Sequence, residues 1–192
     1  MIEYDISQEI FSCAVFPGDP SPKKEVLSSM DAGALYNLTA FSMCAHNGTH
    51  VDAPFHFLRE GPTLAQMPLD HFVGDCYVAQ HVGAVTAEDA AEILEKSINT
   101  RRILIAGPAT VTEDAARIFA QAELLLFGNE SQTVGPPDSP MAVHKILLEK
   151  GMILLEGVVL KNIPEGHYFL SAAPLNLGSA DGAPCRALLL QF

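Results

Sequence analysis

The sequence predicts a single α/β domain spanning residues 1–192. Three observations lead there. Through the middle of the chain the apolar pattern switches repeatedly between strand-like runs and capped helical runs, which is the signature of strand-and-helix units. On either side lie further short strand-like runs separated by Pro- and Gly-bearing turns. The chain has 192 residues and contains no repeat or low-complexity linker. A chain of that length buries roughly 70% of its unfolded-state surface in one large core.

Taken in order, residues 2–6 read as a short strand, and Phe16-Pro17-Gly18-Asp19-Pro20-Ser21-Pro22 follows as a turn-rich loop. Proline fixes φ there, and Gly and Asp tolerate turn conformations. Leu35 to Met43 carries no helix cap and reads as a strand delivering the segment after it. Arg59 to Thr63 is a turn, and Cys76 to Val82 is β-branched and aromatic enough for a strand. Thr86-Ala87-Glu88-Asp89 opens a helix ending near Ser97, with a threonine cap and acids in its first turn. Arg102 to Ala106 reads as a buried strand, Thr112-Glu113-Asp114 repeats the capping pattern, and Glu123 to Phe127 supplies the next strand. Ser139-Pro140 reads as a cap followed by proline at the first helical position, with Gly151 as the stop. Met152 to Leu155, Tyr168 to Ala172 and Arg186 to Gln191 close the chain as strands.

One stretch stands apart chemically. Between His46 and His56 the chain places three of its seven histidines and Asp52. Neutral imidazole and carboxylate suit zinc and related divalent ions, so H-x-x-x-H-x-D-x-x-x-H reads as half a metal site. Gly48 and Pro54 disfavour a helix, whereas alternate residues of an extended segment share a face. A strand or loop therefore holds His50 and Asp52 on one side, with His56 a third candidate. Completing the site needs a group from elsewhere. The candidates are His144, in the first turns of the third helix, and Glu156, an acid closing the apolar run Met152–Leu155. A short link at Gly151 turns the strand back antiparallel to its helix, which puts both groups at one end of that unit.

Charge and cysteine usage narrow the partners. Eleven Lys plus Arg against 23 Asp plus Glu give a formal charge of −12. With no basic run, nothing neutralises a phosphate backbone or an anionic membrane surface. Cys13, Cys44, Cys76 and Cys185 form no C-x-x-C pair and fit thiols in a reducing compartment, which points to the cytoplasm. The N-terminus lacks the regions of a signal peptide, and no apolar run approaches a bilayer span.

His46-Asn47-Gly48-Thr49-His50-Val51-Asp52-Ala53-Pro54-Phe55-His56-Phe57 resembles the H-x-G-T-H-x-D-x-P-x-H-F signature of the metal-dependent cyclase/hydrolase family, whose members include bacterial kynurenine formamidases. The resemblance extends to Asp5-Ile6-Ser7 with Pro17-Gly18-Asp19, to the twelve-residue spacing of His144 and Glu156, and to Asp181 through Ala187. It covers nearly the whole chain. It implies a mixed β-sheet core of the swivelling β/β/α type with helices packed outside, assembled as a homodimer or higher homo-oligomer. It further implies one or two divalent ions, zinc first and manganese second. His46, His50, Asp52 and Glu156 would hold one ion, and Asp52, His144 and Glu156 the other. His56 would be the general acid/base. The implied reaction is hydrolysis of a C–N bond in a small amide or cyclic amide, with metal-bound hydroxide as nucleophile.

The chain also departs from the family. Phe16 stands where an aromatic, commonly tryptophan, lines the substrate pocket. Gly107 to Val111 is short for a loop that often lies over the active site and should leave the pocket more open or differently covered. In Gly128 to Gly135 the family's G-x-D-x-x-S-x-D pattern has one acid lengthened to Glu130 and one missing. These departures keep two alternatives in view: a cyclase or dehydratase on another small carbonyl substrate, and a catalytically quiet metal-bound oligomeric binding module. His71, His81 and His167 read as ordinary hydrogen-bonded histidines, and the cysteines as small apolar residues.

Overall fold

The run Arg102–Ala106 shows how the core is laid out. All five residues are buried, yet alternate side chains serve two separate clusters. Ile103 and Ile105 pack with helix residues such as Phe119 and Val143, and Leu104 and Ala106 pack on the opposite side with Leu170 and Leu189. A strand buried on both faces belongs to the middle of a sheet.

The computed structural model describes residues 1–192. The strands are β1 (Ile2–Asp5), β2 (Lys23–Ser28), β3 (Leu38–Ser42), β4 (His50–Asp52), β5 (Val73–Gln80), β6 (Gly83–Val85), β7 (Arg102–Ala106), β8 (Ala109–Val111), β9 (Leu126–Asn129), β10 (Ile153–Glu156), β11 (Gly166–Ser171), β12 (Gly182–Pro184) and β13 (Leu188–Gln191). The helices are α1 (Ala87–Lys96), α2 (Glu113–Ala120) and α3 (Met141–Leu148). Nine strands form one curled mixed sheet in the order β1-β13-β11-β5-β7-β9-β10-β4-β12. Its centre, β5 to β10, is parallel, and both flanks are antiparallel. The helices share one face of the parallel centre, and the flanking strands fill the other face. This is the mixed-sheet α/β domain expected from the sequence.

Local chemistry sets the helix starts. At α1, Thr86 Oγ1 accepts from the Asp89 amide at 3.2 Å while the Asp89 carboxylate accepts from the Thr86 amide at 2.8 Å. That reciprocal pair satisfies two amides the helix cannot pair internally. Thr112 caps α2 in the same way. At α3 the expected cap is corrected, because Pro140 rather than Ser139 occupies the capping position and no side chain caps the helix. Gly151 closes the turn after α3 with φ of 74°.

Other boundaries shift for identifiable reasons. Glu123 adopts φ of 52° as α2 ends, so the next strand begins at Leu126 and runs to Asn129. The 76–82 strand lies at Val73–Gln80. The 35–43 strand is Leu38–Ser42, and it does not enter the main sheet. It pairs with β2 in a two-stranded hairpin, and the histidine segment joins the sheet separately through β4. Lys23–Ser28 has no apolar alternation and is almost entirely exposed, so nothing in its sequence marks it as a strand. Residues 109–111 form β8, paired in parallel with β6, and Gly107 and Pro108 line a separate cleft with Glu130 and Ser131. The short loop therefore does not border the histidine site.

The core places clear demands on stability. Phe119 is fully buried with its ring 4.7 Å from Phe127. Phe119→Ala should destabilise the protein by roughly 3–5 kcal/mol through lost transfer energy and the cavity left behind. Thr86→Ala should cost about 1 kcal/mol. Urea unfolding monitored by circular dichroism measures both, and near-equal losses would contradict this division between core and cap.

Candidate metal centre

Strand register builds the site. β4 runs antiparallel to β10 with His50 opposite Glu156 and Asp52 opposite Leu154. Val51 and Leu155 point into the cluster away from the helices, whereas Leu154 packs in the helix-side cluster. By strand alternation His50, Asp52 and Glu156 therefore face the helices. There α3 supplies His144, whose Nε2 lies 3.1 Å from Glu156 Oε1 and 3.6 Å from Asp52 Oδ2. His50 Nε2 lies 3.4 Å from Asp52 Oδ1 and 3.5 Å from Glu156 Oε2. All four residues are at most 2% exposed.

Two backbone carbonyls aim the rings. His50 Nδ1–H donates to Gly48 O at 3.0 Å, and His144 Nδ1–H donates to Pro140 O at 2.9 Å. Each bond fixes the tautomer and turns Nε2 toward the carboxylates, as a carbonyl behind a metal-binding histidine does. Glu156 Oε1 is steadied further by the Val134 amide at 2.8 Å.

His46 and His56 form an outer layer. His46 Nδ1 lies 2.8 Å from Asp52 Oδ1 and its Nε2 3.0 Å from Asp181 Oδ2. His56 stacks on His46 with ring centroids 4.0 Å apart, and its Nδ1 lies 3.1 Å from the same Asp181 oxygen. Asp181 precedes β12, which pairs with β4 so that Gly182 sits opposite Asp52. A β-carbon on Gly182 would stand 2.5 Å from the His46 ring, so only glycine admits that ring.

A cavity of about 250 Å³ opens onto this cluster. Its walls include Phe16, Cys44, Phe57, Gln132, Thr133 and Pro140. His46, His50, His56, His144 and Glu156 also line it, and Asp52 lies buried beneath. The structure thus brings together every residue singled out from the sequence. His71, His81 and His167 fall outside. His71 pairs with Asp70 at 3.2 Å, His81 with the Ala84 carbonyl at 3.1 Å, and His167 lies against Tyr77.

The Cyclase family model, described as "Putative cyclase", matches residues 4–136, a stretch that includes the whole histidine segment. The chain belongs to the cyclase family. The chain is 32% identical over 205 residues to a kynurenine formamidase from Paracidovorax citrulli, across 97% of this chain and 95% of that protein. A kynurenine formamidase from Salinibacter ruber is 34% identical, across 96% and 95%. Among solved structures, one titled as a potential metal-dependent hydrolase with cyclase activity superposes with a TM-score of 0.84 at 30% identity, covering 98% of this chain and 96% of that one. His144 and Glu156 lie beyond the matched family stretch but within what the full-length relatives span.

The residues of this cyclase-family chain fit a divalent ion. With Nδ1 of His50 and His144 committed as donors, neutral rings present lone pairs at Nε2 to carboxylate oxygens that also only accept. Asp52 Oδ2 is buried with no hydrogen-bond partner. Apart from the Val134 amide and His46 no other donor reaches these converging acceptors, so they need a cation, either protons on the rings or a metal ion among them. Ligand-capable atoms of His50, Asp52 and Glu156 lie within 4.8 Å of one another, as do those of His46, Asp52 and His56. Imidazole nitrogen with carboxylate oxygen is a donor set for zinc or manganese.

Without the ion, protons take its place. Burial opposes charge on His50, but Asp52 and Glu156 outweigh it and push its pKa up to about 10. His144 rises despite burial, chiefly through Glu156, and His46 rises despite burial, chiefly through Asp52. Burial works to raise Asp52, yet His46 and His50 hold its carboxyl well below the usual range.

Asp181 is the residue that sequence reasoning missed. Its segment was recognisable within the closing strands, but the acid acquires its position only through the pairing of β12 with β4. Asp19, Cys44, Phe57, Gln132, Thr133 and Pro140 also join the cavity without having been singled out.

The raised histidines give a pH signature. A group whose folded pKa exceeds its unfolded value of 6.5 contributes stability fully below that value and loses it as pH rises through the folded pKa. Chelator-treated protein should therefore lose thermal stability between pH 6.5 and about 10. Added zinc should restore stability most at the alkaline end and release protons on binding. Calorimetry across that range checks this, and a flat Tm in chelator would contradict it.

Proposed function

We propose that this chain is a metal-dependent hydrolase of a C–N bond in a small amide or cyclic amide, kynurenine formamidase-like in its chemistry. The observation that carries the reading is the His56–Asp181 pair standing beside the buried cluster of Asp52, Glu156 and imidazoles. The kynurenine formamidase relatives and the metal-dependent hydrolase likeness support it.

His46, His50, Asp52, His144 and Glu156 would hold one or two ions, zinc first and manganese second. His46 must give up one of its two carboxylate partners to do so. The ion's contribution is Lewis acidity, which polarises a carbonyl and acidifies water. His56 supplies the proton traffic. With Nδ1 donating to Asp181, Nε2 is left to take a proton from the attacking water and deliver it to the departing nitrogen. Amide plus water then yields carboxylic acid plus amine, and His56 returns to its starting state. Phe16 and Phe57 offer flat apolar contact to a small substrate.

The same reading includes self-association and a cytoplasmic setting. The β2–β3 hairpin exposes Val26, Leu27, Leu35, Tyr36 and Phe41, with Leu35 94% exposed. An isolated two-stranded hairpin is marginal in water and gains from burying such exposed apolar side chains, so a second copy is the fitting cover. All four cysteines are free, as a reducing compartment favours. No helix is long and apolar enough to cross a membrane.

The activity reading is tested on N-formylkynurenine, formanilides, isatin-like rings and small lactams, with metal content measured in parallel. His56→Ala should keep its metal and lose on the order of 100-fold or more in kcat. Asp52→Ala should lose the metal, and Asp181→Asn should retain it while losing roughly tenfold or more in activity. Full activity in His56→Ala would remove its assigned role. Stoichiometric metal with no turnover would favour a binding module. Separately, Val26→Asp with Leu35→Asp should convert the assembly to monomer in light scattering, and an unchanged mass would place the interface elsewhere.

A further inference from the structure

The cavity has a second polar wall that the hydrolytic chemistry does not use. Gln132 Nε2 and Oε1 and Thr133 Oγ1 are all buried with no hydrogen-bond partner, and both residues line the cavity shared with the histidines. Thr133 is only 4% exposed. Buried polar atoms in a folded protein are nearly always paired, so three orphans on two adjacent residues of one cavity's lining point to a partner that this chain does not supply.

The backbone holds this wall firmly. Gly157 N–H donates to Ser131 O at 2.7 Å and Val134 N–H to Glu156 Oε1 at 2.8 Å, so the turn presenting Gln132 and Thr133 is tied to the strand end that carries Glu156. Gly157 leaves room for the carboxamide, since a β-carbon there would collide with Gln132 Nε2 and the Gly48 carbonyl. The backbone that carries both side chains is therefore fixed relative to the metal cluster.

We propose that Gln132 and Thr133 are specificity-determining residues that recognise a neutral substrate group carrying both a donor and an acceptor, such as a carboxamide, urea or ring N–H/C=O. This rests on the proposed hydrolytic reading of the same cavity and deepens it. A carboxamide and a hydroxyl each donate and accept without charge, so their complement is a group that does the same. A carboxylate only accepts, leaving Gln132 Oε1 unpaired, and it would enter a cavity lined by Asp19 and Glu156 with Asp181 alongside. Sites built on buried donors and acceptors reject ligands lacking the matching groups.

The test uses ligands that are not turned over, so that recognition is read apart from catalysis. Benzamide and benzoate have nearly the same shape and differ in a donor against a charge. Their Kd values are measured by NMR titration of the full chain, chelator-treated and zinc-loaded. The chelator-treated protein should bind benzamide at least tenfold more tightly than benzoate, and the zinc-loaded protein should keep the benzamide affinity. Gln132→Ala and Thr133→Val should each weaken benzamide about tenfold while Thr133→Ser retains it, with circular dichroism melts confirming that each variant folds. Benzoate binding as well as benzamide in the chelator-treated protein, no measurable binding of either, or unchanged benzamide affinity in both variants would overturn the proposal. An equal loss in Thr133→Ser and Thr133→Val would also overturn it, since that marks a packing role. Discrimination without turnover on the amide panel would sink the hydrolase reading and leave this wall standing. Turnover without discrimination would do the reverse.

Discussion

Two carboxylates and two imidazoles, nearly free of solvent, are held with their accepting atoms facing one another. Asp52, Glu156, His50 and His144 cannot remain that way uncompensated, because each unpaired charge or lone pair in a poorly solvated space carries a large penalty. The Gly48 and Pro140 carbonyls accept hydrogen bonds from the Nδ1–H groups and so remove the cheapest escape, which would be a ring turned to donate from its other nitrogen. What remains is a requirement for positive charge at one place. The rest of the structure can be understood as the means of imposing it.

The sheet imposes it by mixing strand directions. In the parallel centre, successive strands are separated by helices, and apolar side chains dominate both faces. β4 is different, because it enters antiparallel between β10 and β12 at the end of that centre. One of its faces keeps Val51 in the core while the other carries His50 and Asp52 toward α3. Because strand alternation is strict, Val51 anchors the register, and a one-residue slip would bury the wrong set. The short link at Gly151 then folds α3 back along β10, so that a residue of the helix and the last residue of the strand meet at 3.1 Å.

This explains which parts were legible in the sequence. His46, His50, Asp52 and His56 are legible because they crowd one extended segment, where periodicity alone tells which side chains share a side. Glu156 is legible because an acid ending an apolar strand has no packing reason to be there, and His144 because the helix and strand are joined by one turn. Asp181 has no such local anomaly. Its position depends on a three-residue edge strand, Gly182–Pro184, too short and too small in its side chains to register as a strand. Gln132 and Thr133 are neutral residues in a turn, and only the absence of partners in three dimensions marks them. The β2 strand was hidden for a different reason: its residues are almost all exposed, so no core pattern is written into them.

Burial also fits the division of duties proposed for His46, His50, His56 and His144. His50 and His144 are sealed and doubly constrained, which suits ligands that must not move. His56 keeps 26% of its side chain exposed and hydrogen-bonds through Nδ1 to a carboxylate that is itself 42% exposed. A proton carrier has to exchange its proton with substrate and ultimately with water, and a fully enclosed ring could not do so without opening the site. His46 is intermediate at 13%, stacked on His56 and bonded to both Asp52 and Asp181. It therefore links the sealed layer to the open one. On the proposed reading, an ion taken by His46 Nε2 would displace Asp181 and leave that carboxylate to His56 alone. The proposed ligand layer and the proposed proton-transfer layer therefore meet at one ring, because His46 touches both Asp52 and the carboxylate that holds His56.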